Sequence, residues 1–147
     1  VREGDIVIAN TDIGMQRGHI LGAPAIVHFP EWYKKDKAVF SMDLSKLLLK
    51  VSNIDVNFLF HYLSFVQPLA RKYHTGTNVW HLNLDSWARN LLIPLPPISE
   101  QQQIASILSA VDDKLELLKK ERSKLEKIKK WFMNELLSGR IRVRAFE

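Results

Sequence analysis

The chain has 147 residues, 46% of them apolar and none of them cysteine, which suffices for one domain's core and excludes wholesale disorder, a disulfide framework, a thiolate nucleophile and cysteine-ligated zinc. Twenty-one Lys and Arg against sixteen Asp and Glu leave a net charge of +5, a balance that suits a polyanionic partner without demanding one. No apolar run approaches the roughly 18 residues of a membrane span, and the opening Val1-Arg2-Glu3-Gly4-Asp5 has neither an initiator Met nor a signal-peptide layout, so it reads as a cut into something larger.

Taken in chain order, Ile6-Val7-Ile8-Ala9 follows the turn signal Gly4-Asp5 and reads as a buried strand. Asn10-Thr11-Asp12-Ile13-Gly14 reads as a loop, because Asn, Asp and Gly favour turns. Ala25-Ile26-Val27-His28-Phe29, closed by Pro30, is a second strand, and residues 38–42 and 47–51 suggest two more. Between them Glu31-Trp32-Tyr33-Lys34-Lys35-Asp36-Lys37 is a polar, aromatic-bearing loop. From Asp55 the period changes: Val56, Leu59, Phe60, Leu63 and Val66 recur at spacings of three and four, the mark of an amphipathic helix capped by Asn53 or Asp55. Pro68 breaks or restarts that helix, and Arg71-Lys72-Tyr73-His74 leads into the turn-rich Thr75-Gly76-Thr77-Asn78.

Pro94-Leu95-Pro96-Pro97 must be extended. Ser99-Glu100-Gln101-Gln102 then forms a capping box, with the Ser99 hydroxyl set to accept from the Gln102 amide. Nothing breaks the helix that follows until Gly139, so it runs for roughly 40 residues, about 60 Å. Its apolar seam is Ile104, Leu108, Val111, Leu115, Leu118, Leu125, Phe132 and Leu136, interrupted by Arg122 and Lys129, with Ile107, Leu117, Ile128 and Trp131 beside it. Such a stripe needs another long helix, and the charges favour an antiparallel pair or small bundle over a long parallel zipper. The fold class is therefore α+β: a small mixed α/β domain over residues 1–97, a long α-helical coiled-coil arm over 98–139, and a tail over 140–147. Charge does not single out either part, since residues up to Pro97 carry +2 and the remainder +3.

Catalytic motifs are missing. His19, His28, His61, His74 and His81 show no H-x-x-x-H spacing, so no metal site is expected. There is no G-x-x-x-x-G-K-S/T loop and no G-x-S-x-G, and Gly14 and Gly18 lack the dinucleotide arrangement. Asp5, Asp12 and Asp36 read as turn and surface groups, and Pro96-Pro97 lacks the Asn and aromatic of an adenine-methyltransferase motif. Two segments mix basic, polar and aromatic side chains in the way nucleic-acid binding uses them, with cations on phosphates, polar groups on base edges and rings for stacking. They supply the candidates Lys34, Lys35 and Lys37, then Arg71, Lys72, Tyr73, His74, Thr75, Thr77, Asn78 and Trp80. The same stretches read equally as solvated loops with an anchoring Trp.

The junction between the two parts resembles the specificity subunits of Type I restriction–modification systems. The resemblance is carried by Ile93-Pro94-Leu95-Pro96-Pro97, Glu100-Gln101, Ile104-Ala105 and Leu136-Leu137-Ser138-Gly139-Arg140-Ile141-Arg142-Val143. Gly4-Asp5-Ile6-Val7-Ile8-Ala9-Asn10-Thr11, and Gly76-Thr77 followed by His81-Leu82-Asn83-Leu84, fit the recognition domain upstream. The resemblance implies a cytoplasmic, non-catalytic subunit, consistent with a cysteine-free chain. Its target-recognition domain would read one half of a bipartite site on double-stranded DNA. Its helix would pair through Ile104, Leu108, Val111, Leu115, Leu118, Leu125 and Phe132 as a spacer and docking arm for modification (methyltransferase) subunits, and through them the restriction subunit. S-adenosylmethionine, ATP and Mg would bind those partners, leaving this chain without a cofactor. The family plan has two recognition domains and two helices, whereas one of each is present here, with the start of the domain apparently missing. That implies a fragment, or a half-length subunit that pairs with a second copy. The alternative is a coiled-coil scaffold whose head binds protein.

Overall fold

Three consecutive β-branched residues, Ile6, Val7 and Ile8, are buried in β1 (Ile6–Ala9) and make it the centre of a sheet. The computed structural model of the protein describes residues 1–13 and 19–143 and divides into two compact units, Val1–Ser106 and Ile107–Glu147. In the first unit β1 pairs antiparallel with β3 (Pro24–Ile26) on one side and β4 (Leu44–Lys46) on the other, giving the order β3-β1-β4. The chain leaves that sheet at Asn10 and enters a second through β2 (Thr11–Asp12). That sheet has the order β2-β6-β5, from β5 (His74–Thr75) and β6 (Trp80–Leu82), again antiparallel.

Several strand expectations are corrected. Thr11 and Asp12 form a strand rather than a loop, because Asn10 bridges the sheets: its carbonyl accepts from the Leu82 amide at 2.7 Å and its amide donates to the Asp43 carbonyl at 2.7 Å. Gly14 and Gly18 lie outside the described residues. The second strand is Pro24–Ile26, not residues 25–29, since the Glu3 carboxylate takes the Phe29 amide at 2.6 Å in place of a ladder carbonyl. Residues 38–42 and 47–51 are not strands. The strand lies between them at Leu44–Lys46, where the Ser45 hydroxyl accepts from Asn10 Nδ2 at 2.7 Å, and the flanking Val39, Met42 and Leu48 are exposed.

α1 (Val56–Val66) is capped by Asp55, whose side chain accepts from the Phe58 amide at 2.9 Å, and it buries Phe58, Leu59, Leu63 and Val66. At Pro68 it tightens into a 3₁₀ turn, Gln67–Tyr73. Ala70 in that turn sits so close to Gly22 (φ +76°) that a Cβ there would lie 2.5 Å from the Ala70 methyl. A second short helix, α2 (Leu84–Asn90), has no counterpart in the sequence reading. Asn83 caps it, accepting from the Ser86 amide, and Trp87 is its buried residue. Ile6, Ile8, Leu21, Leu59, Leu63, Ala70, Leu82 and Trp87 form one core.

α3 (Ile98–Leu137) has 40 residues. It starts one residue earlier than a Ser99 cap requires: the Pro97 carbonyl accepts from the Glu100 and Gln101 amides at 2.9 and 3.1 Å, so Ser99 lies within the first turn. The glutamine of this turn has a different task. Gln101 is fully buried. Its Nε2 donates to the carbonyls of Asn53 and Pro96 at 3.0 and 2.8 Å, and its Oε1 accepts from the Asp55 amide at 2.9 Å. The helix ends at Leu137, and Gly139 (φ +73°) donates to the Leu136 carbonyl, the expected glycine stop. In the second unit Leu108, Val111, Leu115, Leu118, Leu125 and Phe132 are all exposed, between 41% and 60%. No helix among the described residues is long and apolar enough to cross a membrane.

Gln101→Leu keeps the volume but strands one amide and two carbonyls, so it is expected to lower the unfolding free energy by about 2–4 kcal/mol. Gln102→Leu, one residue on and exposed, should change it by less than about 0.5 kcal/mol. Urea denaturation of both variants checks the contrast.

Candidate functional site

The two candidate segments are anchored at opposite ends of β1. At its start, the Glu3 carboxylate accepts from the Phe29 amide and pairs with His28 Nδ1 at 2.9 Å, while the Val1 amino group donates to the Ala38 carbonyl at 2.8 Å. The Phe29 amide first, and His28 second, hold the Glu3 carboxyl below its usual range. Tyr33 stiffens the loop between, packing on Phe29 with ring centroids 4.9 Å apart and donating its hydroxyl to the Lys37 carbonyl at 3.0 Å. Lys34, Lys35 and Lys37 are exposed on this strapped loop.

The other segment is more than a loop. Arg71 and Lys72 end the 3₁₀ turn, and residues 74–82 form a hairpin whose turn contains Gly76. Gly76 has φ +90°, and a Cβ there would meet the Val79 carbonyl oxygen at 2.2 Å, so no other residue fits. Tyr73 and Trp80 are half-buried against the core and act as anchors. Arg71, Lys72, His74, Thr75, Thr77 and Asn78 are exposed. His74 stacks on Trp80, centroids 3.9 Å apart and 18° from parallel, and its Nδ1 donates to the Arg71 carbonyl at 2.8 Å.

Register sorts the side chains of this sheet onto two faces. Asp12 stands opposite Trp80 and His74 opposite Leu82, on the face that carries the buried Asp12 and Leu82. Thr11 and Thr75 both stand opposite His81, so Thr11, His81 and Thr75 form a polar row on the other face. Thr11 Oγ1 lies 3.2 Å from His81 Nδ1, and the Thr75 hydroxyl donates to the His81 carbonyl at 3.3 Å. Asp43 closes the row's Thr11 end. Its carboxyl is held below the usual range by the Ser41 hydroxyl (2.8 Å) first and the Thr11 hydroxyl second.

Thr11 and His81 are absent from the sequence-based candidates. Thr11 reads as loop, and His81 reveals itself only through the alternation Trp80-His81-Leu82, half-buried, exposed, buried. Among the described residues no group of His, Cys, Asp and Glu side chains is placed to hold a metal ion. What the surface offers is recognition: cations, hydroxyls, an imidazole and an amide on a backbone fixed by a hairpin. The helix-pairing candidates stand apart in chemistry. Ile104 is half-buried in the first unit, while in the second Leu118 and Leu125 line a shallow groove rimmed by Glu121, Arg122, Glu126 and Lys129.

Residues 3–127 match the family model described as "Type I restriction modification DNA specificity domain". The chain is 42% identical over 92 residues to a Methanocaldococcus jannaschii protein, "Putative type I restriction enzyme MjaX specificity subunit", a match covering 63% of this chain and 21% of that protein. It is 32% identical over 111 residues to the type I restriction enzyme MjaVIII specificity subunit of the same organism, covering 74% of this chain and 26% of that protein. The chain thus spans a fifth to a quarter of the length of these curated relatives.

The lowered Asp43 carboxyl fixes the sign of one pH effect. Its hydrogen bonds favour the ionised form, so their stabilisation is present above the ordinary aspartate range and is lost as the pH falls through the depressed folded value. Ser41→Ala should raise the Asp43 pKa more than Thr11→Val does, following the order of the two bonds. NMR titration of the Asp43 carboxyl carbon checks that order.

Proposed function

Because the chain belongs to the Type I restriction–modification DNA specificity family, we propose that it is the part of a specificity subunit that reads one half of a bipartite site on double-stranded DNA. The observation that carries this is the β2-β6-β5 sheet, which sets its core face on Leu82 and leaves a polar row open beside the exposed Arg71, Lys72, Thr77 and Asn78. Strands laid in a groove present alternate side chains to base edges, and flanking cations neutralise phosphates. Lys72 and Arg71 are the phosphate contacts of the hairpin, and Asn78, Thr77, Thr75 and His74 its base-facing groups. Tyr73 and Trp80 support the hairpin from beneath. Lys34, Lys35 and Lys37, at the other end of β1, would reach a separate stretch of backbone.

In this reading residues 1–97 are the target-recognition domain and 98–139 the spacer and dimerisation helix, followed by a tail of which 144–147 lie outside the described residues. The helix would form a coiled coil through Ile104, Leu108, Val111, Leu115, Leu118, Leu125 and Phe132, with a second copy or another part of the subunit, and serve as the docking arm for modification subunits. Methylation and cleavage, with S-adenosylmethionine, ATP and Mg, then belong to those partners. The long exposed seam supports this, because an apolar stripe of that length gains by burial at about 25 cal/mol per Å².

Lys72→Ala and Lys35→Ala should each weaken binding to every sequence alike and reduce the slope of log affinity against log salt by about 0.9. Asn78→Ala should instead change which bases are preferred. Fluorescence anisotropy across a salt series separates the two, and salt-independent or absent DNA binding would favour a protein-binding scaffold. For the arm, Leu115→Glu should raise the self-association constant for dissociation by about two orders of magnitude, whereas Leu117→Glu, beside the seam, should do much less. Sedimentation equilibrium reads both.

A further inference from the structure

We infer that His81 is a base-reading residue whose Nδ1–H is held by Thr11, so that its neutral ring offers Nε2 as a bare acceptor to an exocyclic amino group of adenine or cytosine in the major groove. This rests on the DNA-reading function proposed above and makes it specific.

Counting protons fixes the tautomer. The Thr11 hydroxyl has one hydrogen, and its bond to the Asp43 carboxylate, which can only accept, uses it. Toward His81 Nδ1, at 3.2 Å, Thr11 Oγ1 is then the acceptor, and Nδ1 must carry the ring's hydrogen. Nε2 of a neutral imidazole keeps its lone pair. The Thr75 hydroxyl gives its own hydrogen to the His81 carbonyl. On the Cδ2 side of the ring lies Gly76: a Cβ there would be 3.9 Å from Cδ2, so the turn passes that edge without a side chain. The ring is exposed. His74 has the same tautomer through the Arg71 carbonyl, but it stacks on Trp80 and its register places it on the opposite face.

In the major groove only adenine N6 and cytosine N4 donate; guanine N7 and O6, adenine N7 and thymine O4 accept. A side chain reduced to a lone acceptor therefore discriminates in favour of an amino group at one position. Thr11 and Asp43 act through His81 and are positioning residues.

The test uses the full chain. Selection from a randomised duplex pool defines the preferred half-site. Each adenine and cytosine in it is then replaced, one at a time, by purine or 2-pyrimidinone, which lack the amino group. At one position the loss should weaken native binding about 3- to 10-fold, and His81→Phe should be indifferent to that loss while keeping the native response at the other positions, which also shows that it is folded. Thr11→Val should blunt the discrimination and Thr11→Ser restore it. Nitrogen-15 NMR, above the ordinary imidazole titration range, should find the hydrogen on Nδ1 of His81 in the native chain and shared between the nitrogens in Thr11→Val. If His81→Phe responds to every amino removal as the native chain does, or if the native ring carries its hydrogen on Nε2, the inference is wrong while DNA reading stands. If the native chain selects no sequence, the functional reading falls and this inference falls with it.

Discussion

Asn10 is the joint on which the arrangement of the recognition surface depends. Its amide, carbonyl and side-chain Nδ2 bind Asp43, Leu82 and Ser45, each at 2.7 Å. One residue therefore touches β4, the loop before it and β6. Each bond contributes only about 1 kcal/mol net, but the geometric effect is larger. The chain is turned out of one sheet into another, β6 is brought alongside β2, and Asp43 is delivered to Thr11. A side chain of similar size without both a donor and compatible turn geometry would leave the two sheets to find their own relation. The register that aligns Thr11, His81 and Thr75 would lose its reference.

Gln101 does a comparable task where the long helix begins. Its amide group satisfies the Asp55 N–H and the carbonyls of Asn53 and Pro96, groups that neither α1 nor the proline-rich stretch can satisfy internally. Buried backbone groups without partners are costly, and proline provides no N–H with which to build a ladder. This gives the junction motif a physical meaning. The prolines force an extended entry, the Pro97 carbonyl starts the helix, and the glutamine four residues later turns back to bind the strand it came from and the cap of α1. The motif is structural: it shapes the start of α3 and takes no part in recognition chemistry.

Elements whose cause is local were legible in the sequence. β1 is a run of β-branched residues, α1 has a clear apolar period with Asp55 as cap, Pro68 ends its regular winding, and Gly139 stops α3. Elements whose cause is distant were not. β2 and β4 are polar and only two or three residues long, set by Asn10 and the β1 register rather than by hydrophobicity. α2 buries a single Trp87, too little for a period to show. The apolar stretches around β4 misled because exposed Val39, Met42 and Leu48 look like strand residues in sequence. The site divides the same way. Composition pointed to Arg71 through Trp80, but Thr11 is distant in sequence from His81 and joins it only through strand pairing. Within the hairpin, burial separates anchors such as Trp80 from exposed groups such as Asn78, a distinction that residue type does not provide.

The chain presents two open surfaces, and they make opposite demands on its stability. The polar row of Thr11, His81 and Thr75 is content in water, because its hydroxyls and imidazole are paired with one another or solvated while the face beneath is covered by the core. The seam of α3 has no such balance. Ion pairs along the helix, Glu116 with Lys120 and Arg122 with Glu126, are exposed and contribute a few tenths of a kcal/mol each. A helix of this length with large exposed side chains takes most of its stability from packing. The two surfaces also respond to opposite forces. Phosphate contacts weaken as salt rises, because counterions are no longer released at a gain, whereas apolar pairing is not screened and is strengthened by excluded salts. A specificity subunit built in this way, if its arm pairs as proposed, can hold its assembly constant while its grip on DNA is adjusted, since the residues that serve one property contribute nothing to the other.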